Sequence, residues 1–128
     1  MGGVLVVLRG RTETRMNLLA IGIATWYAFF GAPYCSSCCE PWSETLPYIA
    51  VPVEQLGGKY QCGEFVYLCF EERCRLYRVW DAGPFSRFHV EGWPQPNKIV
   101  VDVPERFWTE KGRSAPVRIC RPKVQLER

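Results

Sequence analysis

Phe65-Val-Tyr-Leu-Cys-Phe-Glu-Glu-Arg-Cys-Arg-Leu-Tyr-Arg-Val-Trp-Asp-Ala-Gly-Pro-Phe85 is the stretch that decides the fold. Two runs rich in aromatic and β-branched residues, 65–70 and 74–80, flank the polar connection Glu71-Glu72-Arg73, the pattern of a β-hairpin. In the second run Leu76, Arg78 and Trp80 fall on one face and Arg75, Tyr77 and Val79 on the other, so neither face is purely polar. Cys69 and Cys74 flank the tip and stand opposite each other across the ladder, which makes them the preferred disulfide. Asp81-Ala-Gly-Pro-Phe85 then leaves the hairpin as a turn, because Gly83 and Pro84 do not extend a central strand.

Upstream, residues 18–32 carry no charge and are apolar and aromatic around Gly22-Ile-Ala-Thr-Trp-Tyr27, which favours a buried strand. The rival is a signal-peptide core behind a basic segment. Against it, no small-x-small cleavage site precedes Thr25, and the run is short for a membrane span. Residues 33–47, rich in Pro, Ser and Cys, lack periodicity and read as a long loop held by a disulfide, and residues 48–53 form a short strand before the Gly57-Gly58 turn. Lys98-Ile-Val-Val-Asp-Val103 is the next strand, Pro104 and Gly112 bracket a short helix of about two turns, and residues 116–121 form the last strand. Six short strands with no long crossover helix point to an all-β fold, a closed six-stranded barrel with one short helix. No internal repeat is visible. The division is 1–17 as a flexible tail or extended start, 18–122 as the barrel, and 123–128 as a C-terminal tail.

The 128 residues suffice for one domain with a single core. Hydrophobic residues at 48% and charged residues at 23% argue against wholesale disorder. A net charge of +3, scattered along the chain, argues against nucleic acid as a partner. Seven cysteines beside one histidine favour disulfides in an oxidising compartment, extracellular or periplasmic, or in a virion-associated particle. Zinc is the alternative, since Cys35-Ser-Ser-Cys38 has Cys-x-x-Cys spacing and Cys39, Cys62, Cys69, Cys74 and Cys120 would complete a shell. The second Cys-x-x-Cys is missing, so no metal and no cofactor is expected.

The order Ala24-Thr-Trp-Tyr27, Tyr77-Arg-Val-Trp-Asp-Ala-Gly-Pro-Phe85, Ile99-Val-Val-Asp-Val-Pro-Glu-Arg-Phe107 and Val117-Arg-Ile-Cys-Arg-Pro122 resembles the double-psi β-barrel shared by rare lipoprotein A, expansins and barwin. The resemblance covers roughly residues 22–122. It departs at Ala28, where Gly is usual, and at Ala82, where rare lipoprotein A carries Arg. The Ala-Ala-His element of those proteins has no counterpart, the corresponding region reading Tyr48-Ile-Ala-Val-Pro-Val53. The resemblance implies a cell-wall glycan as partner, peptidoglycan being the first candidate. It also implies either cleavage of the lytic-transglycosylase type or non-hydrolytic, expansin-like binding.

Cleaving a glycosidic bond needs a carboxyl group with a raised pKa beside bound sugar. Asp102, in the apolar run Ile99-Val-Val-Asp-Val103, fits that need, and the resemblance gives it the role of general acid and base with Asp81 assisting. The bland alternatives are a helix cap for Asp102 and a turn role for Asp81. Thr25 matches a groove threonine of the expansin pattern, and Tyr27 and Trp80 are further candidates for substrate contact. Tyr77, Trp93 and Trp108 also offer flat faces, although aromatics in a small barrel are more often core. His89 reads as a solvent-facing loop residue. A third reading keeps the barrel as a scaffold, with protein partners at the Cys-rich loop 33–47.

Overall fold

A computed structural model of the chain describes residues 5–7 (as backbone), 16–28, 38, 46–83 and 98–123. The strands are β1 (Leu5–Val7), β2 (Met16–Tyr27), β3 (Tyr48–Pro52), β4 (Phe65–Phe70), β5 (Arg73–Gly83), β6 (Ile99–Pro104) and β7 (Ser114–Pro122). Six of them run β5-β3-β6-β2-β7-β4, and β4 pairs back with β5, which closes a barrel; β1 adds to β5 from outside the ring. The all-β barrel expected from the strand spacing is the fold observed. β1 pairs antiparallel with the start of β5, Val6 opposite Cys74, so these three residues are an extended segment on the barrel.

The β4–β5 hairpin pairs from Phe65 opposite Arg78 to Phe70 opposite Arg73, so the connection is Glu71 and Glu72 alone and Arg73 joins the strand. Glu71 adopts the left-handed conformation that a two-residue hairpin turn demands, with φ 59°. Cys69 and Cys74 form the expected disulfide across the tip, their Cα atoms 4.0 Å apart. A second bridge joins Cys38 to Cys62. It ties the Cys-rich segment to the turn before β4 and removes Cys38 from any zinc shell. Cys35 and Cys39 lie outside the described residues. No helix among the described residues is long and apolar enough to cross a membrane.

Alternation along the strands fills the interior: Ala24 from β2, Ile49 and Val51 from β3, Val66 and Leu68 from β4, Val79 from β5, Val101 and Val103 from β6, and Val117 and Ile119 from β7. The pairs β2–β6 and β3–β5 are parallel, and each contains one bulge. Between them β3 and β6 meet at one residue pair, Ala50 opposite Asp102.

The helix expected after Pro104 is instead a single 3-10 turn, Glu105–Phe107. Phe107 is drawn into the core, where its ring meets Tyr48 edge-on at 5.3 Å and its carbonyl accepts the Tyr77 hydroxyl at 3.3 Å. Trp108 is already extended, so no second turn forms. An equivalent turn, Val53–Gln55, follows β3. Pro52 and Pro104 before the two turns have nearly the same backbone angles, φ −56°, ψ 133° and φ −55°, ψ 138°. The backbone therefore repeats where the side chains do not. Strand β3 corresponds to β6, Ala50 to Asp102, and the partners of those two residues, Asp81 and Thr25, to each other.

Gly22 stands beside the β2–β6 bulge, where a Cβ would lie 2.6 Å from both the Lys98 carbonyl oxygen and Val100 Cγ1. Gly22→Ala must push the two strands apart, and we expect it to cost roughly 2–3 kcal/mol in denaturant unfolding, as overpacking does elsewhere. Gly58→Ala, whose Cβ meets nothing closer than 3.9 Å, serves as the tolerated control.

Candidate functional site

Four strands carry the candidate residues into one row. Asp81 on β5 pairs with Ala50 on β3, Ala50 pairs with Asp102 on β6, and Asp102 pairs with Thr25 on β2. Residues paired directly across a sheet project to the same face. That face is turned away from the core side chains Ala24, Ile49, Val51, Val101 and Val103, yet Ala50 at its centre is itself only 4% exposed and Asp102 is mostly buried. Asp81 and Asp102 thus share one wall of the barrel, separated by two strand spacings, roughly 10 Å between their backbones. What lies between them is the Ala50 methyl group.

Thr25 Oγ1 donates a hydrogen bond of 2.9 Å to Asp102 Oδ1. Asp102 is mostly buried, and its pKa is raised to about 6. Desolvation is the main cause and the Asp81 charge adds to it, while the Thr25 hydroxyl and the Val103 amide, which stabilise the charged form, pull the other way. Asp81 Oδ1 accepts the Ala82 amide at 2.8 Å, but the turn expected at Asp81 is not formed: Asp81, Ala82 and Gly83 continue β5, paired with Ala50, Val51 and Pro52.

Tyr27, two residues beyond Thr25, points to the same side of β2. Its hydroxyl is buried without a well-formed hydrogen bond, yet lies close enough to Asp81 and Asp102 to feel both. Burial first, then Asp81, hold the phenol well above its ordinary pKa, so it stays a proton donor facing the carboxylates.

Trp80 requires a correction. Its flat aromatic face offered it for substrate contact, but it is 4% exposed and belongs to the core. The β3–β5 bulge skips Trp80, since Ile49 pairs with Val79 and Ala50 with Asp81. The Arg78 guanidinium covers its ring at 4.0 Å. Tyr77 is likewise core, and Trp108 packs edge-on against Phe70 at 5.8 Å. His89 and Trp93 lie outside the described residues. Ala50 is the site residue that sequence reasoning missed. No chemical signal marks an alanine, and its position follows from register alone.

The Asp102 environment makes a pH prediction. Because its folded pKa of about 6 lies above the value near 4 of an unfolded aspartate, Asp102 stabilises the fold below about pH 4 and that contribution is lost as pH rises through 6. Relative to Asp102→Asn, wild type should lose on the order of 2 kcal/mol of unfolding free energy between pH 4 and pH 7. Carboxyl carbon NMR should show Asp102 titrating near 6, and higher in Thr25→Val, which removes a bond that lowers the pKa.

No protein-family model and no curated protein matches this sequence. Among solved structures, the chain is similar to the apo expansin of Clavibacter michiganensis, with a TM-score of 0.55 and 19% identity over 84% of this chain and 50% of that one. It is also similar to a mutant of the same expansin, in which Asn replaces an Asp, in complex with cellohexaose, with a TM-score of 0.53 and 17% identity over the same shares. The chain thus spans about half the length of these expansins. The resemblance carried by the four sequence motifs holds for the fold: the structural neighbours are bacterial expansins, and this chain has their double-psi β-barrel.

Proposed function

We propose that this chain binds a cell-wall polysaccharide on the wall that carries Asp81, Asp102 and Thr25, in the non-hydrolytic manner of an expansin. The observation that carries the reading is the register. Two acidic residues 21 positions apart in sequence come to one outer face, with a hydroxyl already bonded to one of them. Such a row of acceptors and donors suits the hydroxyl groups of a sugar chain. The similar expansin in complex with cellohexaose supports a glycan as the ligand class. The two disulfides are consistent with an extracellular or periplasmic setting.

Cleavage of peptidoglycan in the lytic-transglycosylase manner is the second reading, and the raised pKa of Asp102 favours it. With a pKa of about 6, Asp102 still carries a proton in mildly acidic solution. It would protonate the glycosidic oxygen as the bond to the anomeric carbon breaks. Then, as the carboxylate, it would take the proton from the sugar hydroxyl that attacks that carbon, so proton and charge balance without metal or water. Against this stands the missing Ala-Ala-His element, whose place is taken by Tyr48-Ile-Ala-Val-Pro-Val53.

Incubating wild type and Asp102→Asn with cellohexaose and with peptidoglycan sacculi separates the readings. Retention on either glycan with no fragments released supports the binding function. Anhydro-muropeptides in the mass spectrum of wild type, falling at least about 100-fold in Asp102→Asn and declining above pH 6, establish the cleaving one. Wild type that neither binds nor cleaves either glycan leaves only the scaffold role, with protein partners.

A further inference from the structure

Ser114, the first residue of β7, pairs directly with Thr25, so the row of Asp81, Ala50, Asp102 and Thr25 continues onto a fifth strand. Along β7 the core takes Ala115, Val117 and Ile119, which turns Ser114 to the outer face beside Thr25. Ser114 is half-buried, and its hydroxyl makes no hydrogen bond to any described residue. Thr25 already donates its hydroxyl hydrogen bond to Asp102 and offers a ligand only lone pairs, whereas Ser114 keeps a donor and two acceptor positions.

The row ends there. Pairing of β4 with β7 stops at Cys69 opposite Arg118, short of Ser114. From Asp81 to Ser114 the row follows the curved wall of the closed barrel across four of its six strand spacings, about 19 Å measured along the surface. The path at right angles to it, back along β2, runs toward Ile21 and Leu18, exposed aliphatic side chains at 50% and 56% that give sugar hydroxyls no partner.

We propose that a glycan chain follows this row round the barrel wall, across the strands rather than along them, and that Ser114 is the hydrogen-bonding residue at the end remote from Asp81. The inference rests on the glycan-binding reading above and adds to it an axis and a contact.

Amide NMR of the full chain titrated with cellohexaose, and in parallel with soluble peptidoglycan strands, tests it. The expected footprint includes Thr25, Ala50, Asp102 and Ser114 and spares Leu18 and Ile21. Ser114→Ala should weaken binding about threefold to tenfold, the worth of one neutral hydrogen bond. Ser114→Thr should retain it, and Ser114→Trp, checked for an otherwise unchanged amide spectrum, should weaken it more than about tenfold by bulk. A footprint on Asp102 that omits Ser114, with Ser114→Trp binding as wild type does, overturns the axis and leaves the binding function standing. No footprint from either glycan overturns both.

Discussion

One pairing holds the site together, the bridge between Ala50 and Asp102 where β3 meets β6. It has meaning only because of the two bulges beside it. Without the skip at Trp80, Asp81 would fall opposite Val51 and take the core-facing side; without the skip at Val100, Thr25 would face Val101 and leave Asp102 without its hydroxyl. Each bulge shifts one strand by one residue and so exchanges its inner and outer faces. The close approach of the strands near Gly22 is possible because glycine leaves room for the Lys98 carbonyl.

The same bridge governs the electrostatics. A larger residue at position 50 would crowd the space between the carboxylates, and a charged one would change the field around Asp102. With alanine there, Asp102 is desolvated by its surroundings and feels Asp81 only across two strands, so burial outweighs charge in raising its pKa. The region that sequence reading sets against the Ala-Ala-His element, Tyr48-Ile-Ala-Val-Pro-Val53, is strand β3 and the first residue of the turn after it.

Much of this was legible in the chain. The hairpin, its Cys69–Cys74 bridge and the order of four motifs lead to the barrel, because strand alternation and turn residues are local properties. Asp81, Asp102 and Thr25 carry chemistry in their side chains, and the structure brings all three to one face. Trp80 was misread because a flat aromatic face serves a core as well as a sugar ring, and only packing tells the two apart. The helix after Pro104 was misread because its capping pattern is local, while the demand that Phe107 fill the core beneath Tyr48 is not. Ala50 and Ser114 were illegible, since their place in the row arises only when distant strands pair.

The backbone repeat bears on what chemistry the wall can perform. It makes Ala50 the counterpart of Asp102, and Asp81 the counterpart of Thr25, so a symmetric scaffold is occupied asymmetrically. Of the two positions on the central bridge, only one holds an acid. Hydrolysis by paired carboxylates needs the two groups to flank one glycosidic bond at a fixed separation, one above it and one beneath or beside. Asp81 and Asp102 instead project side by side from one surface, on strands with another strand between them. A sugar chain lying on that surface would meet both from the same side, as hydrogen-bonding partners under successive parts of its length. In the binding role proposed above, that geometry would place both acids under one polymer; in the cleaving one, it would leave Asp102 to act with the substrate's own hydroxyl.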